Sequence, residues 1–242
     1  MNHKKCILLL FGLTLLGCRD SCQKGQPSEH KAEAPLPSNN IDTENHIIFK
    51  ETEIPTKRGA VQFVFDDFVL EIEELEVFSN QGVQNKIYDI QDTVKVYIDI
   101  ETRLNWQKMS IYPKRKGRFK MYQAHQNTLA VSVEGEFCDL IDWKNFQSEW
   151  KQLKKKDEKF TLHKYSLDDH RKFLDLDMEE VRQALRVHCG DNWADYIKDA
   201  KSPNESPCWV SISNIYLKVV YFSASRQPPK ESIIVIEVPM GV

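Results

Sequence analysis

The stretch Trp209–Phe222, WVSISNIYLKVVYF, followed by IIVIEV at Ile233–Val238, decides the fold class. In the first, apolar residues alternate with polar ones on one parity, then resume on the other after Ser213-Asn214. An alternation of period two is the signature of a strand with one buried face. A change of parity marks an extra residue that restores that face. The second stretch is apolar on both parities and short, which suits a central strand. The C-terminal part of the chain is therefore read as sheet.

The same patterns recur upstream. Val94, Val96, Ile98 and Ile100 alternate with Lys95 and Asp99 opposite. Val61, Phe63 and Phe65 form one run, Phe68, Leu70 and Ile72 a second on the other parity, and Leu75 and Val77 a third. Each switch falls at an acidic pair, Asp66-Asp67 and Glu73-Glu74, where a turn or bulge resets the register. Phe119–Gln123, Leu129–Phe137 and Phe160–Tyr165 are shorter strand candidates.

The middle of the chain carries helical spacing. After Asp142, the residues Trp143, Phe146, Trp150 and Leu153 share one helical stripe, and Lys154, Lys155 and Lys156 suit the negative end of a helix dipole. Asp177 and Glu180 read as a capping box for a helix over 178–189, with Met178, Val181 and Leu185 inward and Gly190 as its stop. Asp191 opens a short helix with Trp193 and Ile197 inward, and Ser166–Leu174 is a further candidate.

Strands, a helix, a strand, a helical group and again strands do not form a regular βαβ alternation. The expectation is one α+β domain over residues 47–242. It has a mainly antiparallel sheet or sandwich and its helices grouped in residues 142–201.

Composition bounds the function. The chain has 242 residues, 33 basic and 36 acidic, for a net charge of −3. That balance gives no basis for nucleic-acid binding. Nine glycines, with neither G-x-G-x-x-G nor G-x-x-x-x-G-K, give no phosphate-cradling loop. His163, His170, Asp168, Asp169, Asp175 and Asp177 match no metal-binding spacing, and no metal or cofactor is expected. Aspartates at helix starts explain the cluster more simply.

Cys189 and Cys208 bracket a short helix and a turn, and are the candidate disulfide. Closing that loop would stabilise the fold by about 3 kcal/mol. The alternative is a His188–Cys189 nucleophilic dyad oriented by Asp191 or Asn192. Neighbours on a helix point about 100° apart, which argues against it.

Two segments segregate charge. Asp66, Asp67, Glu71, Glu73, Glu74 and Glu76 form an acidic strip, and Lys114, Arg115, Lys116, Arg118 and Lys120 a basic one. Such segments protect an edge strand, dock a partner, or face each other within the fold. The acidic strip is the candidate partner-docking site.

The N-terminus reads as an address. Lys4 and Lys5 precede an apolar core, Cys6–Leu16, of signal-peptide length and about half a membrane span. Leu15-Leu16-Gly17-Cys18 follows, and resembles the lipobox of bacterial lipoproteins. The resemblance covers residues 1–18 alone. It implies cleavage before Cys18, acylation of the Cys18 thiol and anchorage in the cell envelope. Arg19, in place of Asp, points by the same resemblance to the outer membrane. Loss of Lys4 and Lys5 takes the net charge to −5. Residues 18–46, polar with scattered prolines, read as a disordered tether spanning roughly 30 Å.

A lipid anchor, a tether, one domain and no catalytic set imply a non-enzymatic envelope lipoprotein. It would bind a protein partner, as inhibitors, immunity proteins and assembly factors do. The alternatives are a small-ligand-binding lipoprotein, with Trp143, Trp150, Trp193 and Trp209 around a pocket, and a cysteine-dependent envelope hydrolase.

Overall fold

The computed structural model describes residues 58–240, apart from 80, 81, 100, 101, 103, 105 and 226. The expected signal peptide at 1–17, Cys18 and the expected tether at 18–46 lie outside the described residues, as does Ile100.

The chain opens with β1 (Ala60–Phe65), β2 (Phe68–Glu73), β3 (Val77–Ser79), β4 (Gly82–Gln84), β5 (Lys86–Ile90) and β6 (Thr93–Tyr97). It continues with β7 (Lys108–Pro113), β8 (Gly117–Val133), β9 (Glu136–Asp139), β10 (Phe146–Gln147), β11 (Lys151–Gln152) and β12 (Phe160–Thr161). The helices α1 (Leu167–Arg171), α2 (Met178–His188) and α3 (Asp191–Tyr196) come next, and β13 (Cys208–Ser223) and β14 (Lys230–Glu237) close the fold.

The α+β class holds, but the pairing is not purely antiparallel. A five-stranded sheet runs β12-β7-β2-β1-β5, and a nine-stranded sheet runs β10-β8-β13-β14-β6-β3-β4, with β9 and β11 also on β8. The β1–β5 and β6–β14 pairs are parallel.

The parity switches mark turns and a bulge. Asp66 and Asp67 turn β1 into β2. Glu74, at φ 55°, ends β2 before Leu75. In β13 the pairing with β8 slips between Ile212 and Asn214, leaving Ser213 as the extra residue. Its hydroxyl shares a 2.8 Å hydrogen bond with Thr128, and its carbonyl accepts from the Val238 amide at 2.8 Å. The bulge is thus satisfied although Ser213 is fully buried. Phe119–Gln123 and most of Leu129–Phe137 join into the single long β8.

The two sheets share one core. Val61, Phe63, Leu70 and Ile72 of the smaller sheet pack with Met121, Leu217, Val219, Ile234 and Ile236 of the larger. Further along β8 the same face is covered by helices instead. Leu129, Val131 and Val210 pack there with Val181, Leu185 and Ile197. Helix α2 begins at Asp177, whose side chain accepts from the Glu179 amide rather than pairing in a box with Glu180. Gly190, at φ 103°, ends it as expected, its amide donating to the Leu185 carbonyl at 3.0 Å. The capping box lies instead at α1, between Ser166 and Asp169.

One expected helix is absent. Residues 142–153 are extended along β8, with Phe146 opposite Asn127 and Lys151 opposite Gln123. The amides of Ser148 and Leu153 donate to the carbonyls of His125 and Met121. The exposed edge of a long strand satisfies this segment's backbone, and that outweighs helical spacing of its side chains. The helical group is accordingly narrower than 142–201, running from α1 through α3.

Candidate functional site

The two faces of the nine-stranded sheet have different fates. One face supplies the core. On the other, residues from six strands form a continuous field of rings and aliphatic groups, on which only the extended segment at Trp150 rests among the described residues. The register puts Lys218 between Ile233 and Tyr122, and Tyr216 between Val235 and Ala124. Lys95 lies beside Val235, Tyr97 beside Glu237, and Phe78 beside Tyr97 with Val83 beyond. All of these have the parity opposite to the buried Leu217, Ile234 and Val96. Tyr97 is 47% exposed and Val83 57%. Ile233, Val235, Tyr216 and Tyr122 are half-buried against one another.

The extended segment supplies the remaining ring. Trp150 meets Tyr216 edge-on at 6.4 Å between centroids. Lys218 lies across the Trp150 ring at 4.7 Å and the Tyr122 ring at 5.6 Å. Its ammonium also reaches Glu231 at 3.6 Å. Lys95 pairs with Glu237 and lies over Tyr97 at 5.6 Å. The Glu237 hydrogen bond raises the Lys95 pKa, while burial raises that of Tyr216. The face therefore carries cations already neutralised by neighbouring carboxylates, with their stems laid on aromatic rings. Aromatic rings are enriched at the buried centres of protein interfaces.

The acidic strip does not form one surface. Asp66, Glu74 and Glu76 are exposed, but Glu71 is 1% exposed and Asp67 6%. Glu71 accepts from Gln62 at 2.9 Å and from Tyr112 at 3.1 Å. Asp67 binds Arg115 at 3.1 Å and Lys230 at 2.9 Å, and Glu73 binds Lys159 at 2.7 Å. Alternation along β2 puts Glu71 and Glu73 on the face opposite the core residues Leu70 and Ile72. The acidic and basic segments do meet at Asp67, because β2 pairs with β7 just before the basic hairpin.

The expected Cys189–Cys208 disulfide is corrected. Cys189, the C-cap of α2, is bonded to Cys138 on β9, with Cα atoms 6.3 Å apart. Cys208 lies on β13 opposite Val131, and Cys138 lies opposite Val131 on its other side. Two strand spacings, about 10 Å, therefore separate Cys208 from Cys138. Cys208 is a buried free thiol, its pKa pushed up to about 11 by burial and then by Glu205. The His188–Cys189 dyad is removed by the same bond, since a disulfide sulfur has no thiolate to attack with.

The four tryptophans are not brought around one pocket. Trp143 lines an open groove of about 590 Å³ beside α2, with Ala184 and Val187. Trp150 lies on the ring-bearing sheet face, Trp193 packs in the helical cluster, and Trp209 meets Phe137. In the groove, Glu180 pairs with Lys144, and Glu179 with Arg182 and Arg186. Among the described residues no group of three or more His, Cys, Asp or Glu side chains could hold a metal ion.

Comparison with family models, with curated proteins and with solved structures finds no match. The sequence signal for the ring-bearing face was present in Ile233–Val238. Apolar residues on both parities were read as burial on both sides, and the structure buries only one.

Proposed function

We propose that this protein is a lipid-anchored, non-enzymatic envelope protein that binds a protein partner through the outer face of its nine-stranded sheet. The anchor rests on the N-terminal resemblance at Cys18. The docking face rests on one observation: Tyr97, Tyr122, Trp150 and Tyr216, with Ile233 and Val235, make a continuous aromatic and aliphatic field whose lysines are paired within it. Exposed contiguous apolar surface on a sheet is the usual mark of an interaction site. Neutralised charge lets a partner cover it without stranding an ion.

This places the site away from the acidic strip and away from any thiol. Inhibitor, immunity and assembly proteins all act by occluding or positioning a partner with such a face, and the outer membrane is the expected location.

The test is site-specific photo-crosslinking in native envelopes. A photoreactive residue at Tyr97 should give a discrete adduct. One at Leu167, even more exposed on α1, should not. Trp150→Ala should weaken the adduct by roughly 30-fold if Trp150 is a hot spot. Equal adducts from both positions, or none from Tyr97, would reject the docking face.

A further inference from the structure

The hairpin joining β7 to β8 carries positive charge that its surroundings do not neutralise. Lys114, Arg115, Lys116, Arg118 and Lys120 lie within seven residues. Lys230 joins them from the start of β14, because Tyr221 of β13 lies opposite Phe119 on one side and Lys230 on the other. Among the described residues the acids beside this end of the sheets are Asp66, Asp67 and Glu231, and Glu231 reaches Lys218 at 3.6 Å. Asp67 is committed to Arg115 and Lys230. Lys116, Arg118 and Lys120 are exposed and have no ion pair among the described residues. Lys120 lies over the Phe222 ring at 5.5 Å.

We infer that this end of the sheets is a second membrane contact, a docking surface for a plane of lipid phosphates. Three observations favour that partner over an acidic protein. The cations sit on exposed residues at the end of a hairpin, with Arg118 and Lys120 on one face of β8 and Lys116 in the turn before it. Such an array has no fixed acceptor geometry, and a fluid plane of phosphates demands none. The one fixed point, Asp67, holds Arg115 and Lys230 against the fold and leaves the other cations free to swing. Phe222 adds a ring beside Lys120, suited to the boundary between headgroups and water. The overall charge of −3 makes the concentration of cations here a local feature, not a property of the chain.

Each basic side chain near an anionic surface strengthens binding about five-fold, so three unpaired ones give on the order of 100-fold. The contact lies at the hairpin end of the outer sheet face, where Lys120 shares the parity of Tyr122, and it is separate from acylation of Cys18. It would orient the domain where a tether alone leaves it free to tumble.

The experiment uses the full chain with vesicles of phosphatidylcholine alone, or with about a third phosphatidylglycerol, at low and high salt. The ratio of the two affinities cancels the contribution of the apolar N-terminal segment. The triple variant Lys116→Gln/Arg118→Gln/Lys120→Gln should lose the anionic preference by on the order of 100-fold, while melting at the wild-type temperature. On wild-type protein, amides of residues 114–120 should gain exchange protection only on anionic vesicles, and lose it in high salt. Equal protection on neutral vesicles, or an unchanged ratio in the triple variant, overturns the inference. Protection by inorganic phosphate alone would make this an ion site. Protection by polyglutamate without protection by anionic vesicles would assign it to an acidic protein.

Discussion

Cys138 and Cys189 tie the C-cap of α2 to the short strand β9, across a sequence separation of 51 residues. The helical cluster covers only the far half of the large sheet, and this bond fixes α2 within that half, where Cys138 lies opposite Val131. Closing a loop of that length stabilises by about 4 kcal/mol through the unfolded chain's lost entropy. Cys138→Ser should lower the unfolding free energy by up to that amount, and Cys189→Ser by the same. Reduction of the wild type should match both. Denaturant unfolding of oxidised and reduced protein checks this, and coincident midpoints would show the bond to be energetically idle.

Gly117 opens β8 beneath the ring of Tyr221. A Cβ added there would fall 2.2 Å from Tyr221 Cε2 and 2.6 Å from the Phe222 carbonyl oxygen. The Tyr221 hydroxyl donates to the Lys116 carbonyl at 2.9 Å, pinning the ring over the glycine. Gly117→Ala must displace ring or backbone, and overpacking of this kind costs about 1–3 kcal/mol. In combination with Tyr221→Ala it should cost less than the two changes summed, since the ring clash is then already relieved. A thermal unfolding cycle of the four proteins measures the coupling, and strict additivity would mean that the ring yields freely.

Much of the fold was legible because local patterns and tertiary structure agree. The breaks at Asp66-Asp67, Glu73-Glu74 and Ser213-Asn214 each appear as a turn or bulge. Helix α2 has its cap at Asp177 and its stop at Gly190. The failures lie where distant segments decide. Trp143, Phe146, Trp150 and Leu153 have helical spacing, yet the free edge of β8 draws their backbone out straight. Glu71 is buried because Gln62 and Tyr112, 9 and 41 residues away, meet it. The disulfide followed strand order around Val131, which no spacing of cysteines encodes. The ring-bearing face went unread because an outward Ile or Val looks in sequence like an inward one.

His125 makes stability fall in acid. Its ring is 2% exposed, edge-on to Tyr165 at 4.5 Å and tilted to Phe146 at 6.1 Å. Burial lowers its pKa to about 4, with Asp169 opposing and Lys151 and His170 assisting. The folded state therefore favours neutral imidazole, whereas the unfolded chain takes up a proton near pH 6.5. The unfolded state binds more protons between those values, so stability is lost as pH falls from about 6.5 to about 4, and is unaffected above. The full effect is on the order of 3 kcal/mol. Burial lowers the pKa of His170 as well, which adds in the same direction. Unfolding free energies at pH 7 and pH 4.5 should differ less in His125→Gln than in wild type. Parallel pH profiles would sink the assignment.

The proposed membrane attachment rests on three sequence features acting together at the N-terminus. Lys4 and Lys5 supply the basic start, Cys6–Leu16 an apolar core too short to span a bilayer, and Gly17 the small residue before Cys18. Acyl chains contribute about 0.8 kcal/mol per buried CH₂, so several on one residue hold a protein at the bilayer. The proposal separates that chemistry from the sheets, with residues 18–46 expected as a polar tether. Cys18→Ser should therefore abolish incorporation of labelled palmitate in a host with lipoprotein machinery. It should also release the protein from the membrane fraction or halt its processing, and leave the domain's melting temperature unchanged. Wild-type chain that takes up no label would remove the anchor and the envelope location with it. The crosslinking result at Tyr97 would still stand on its own.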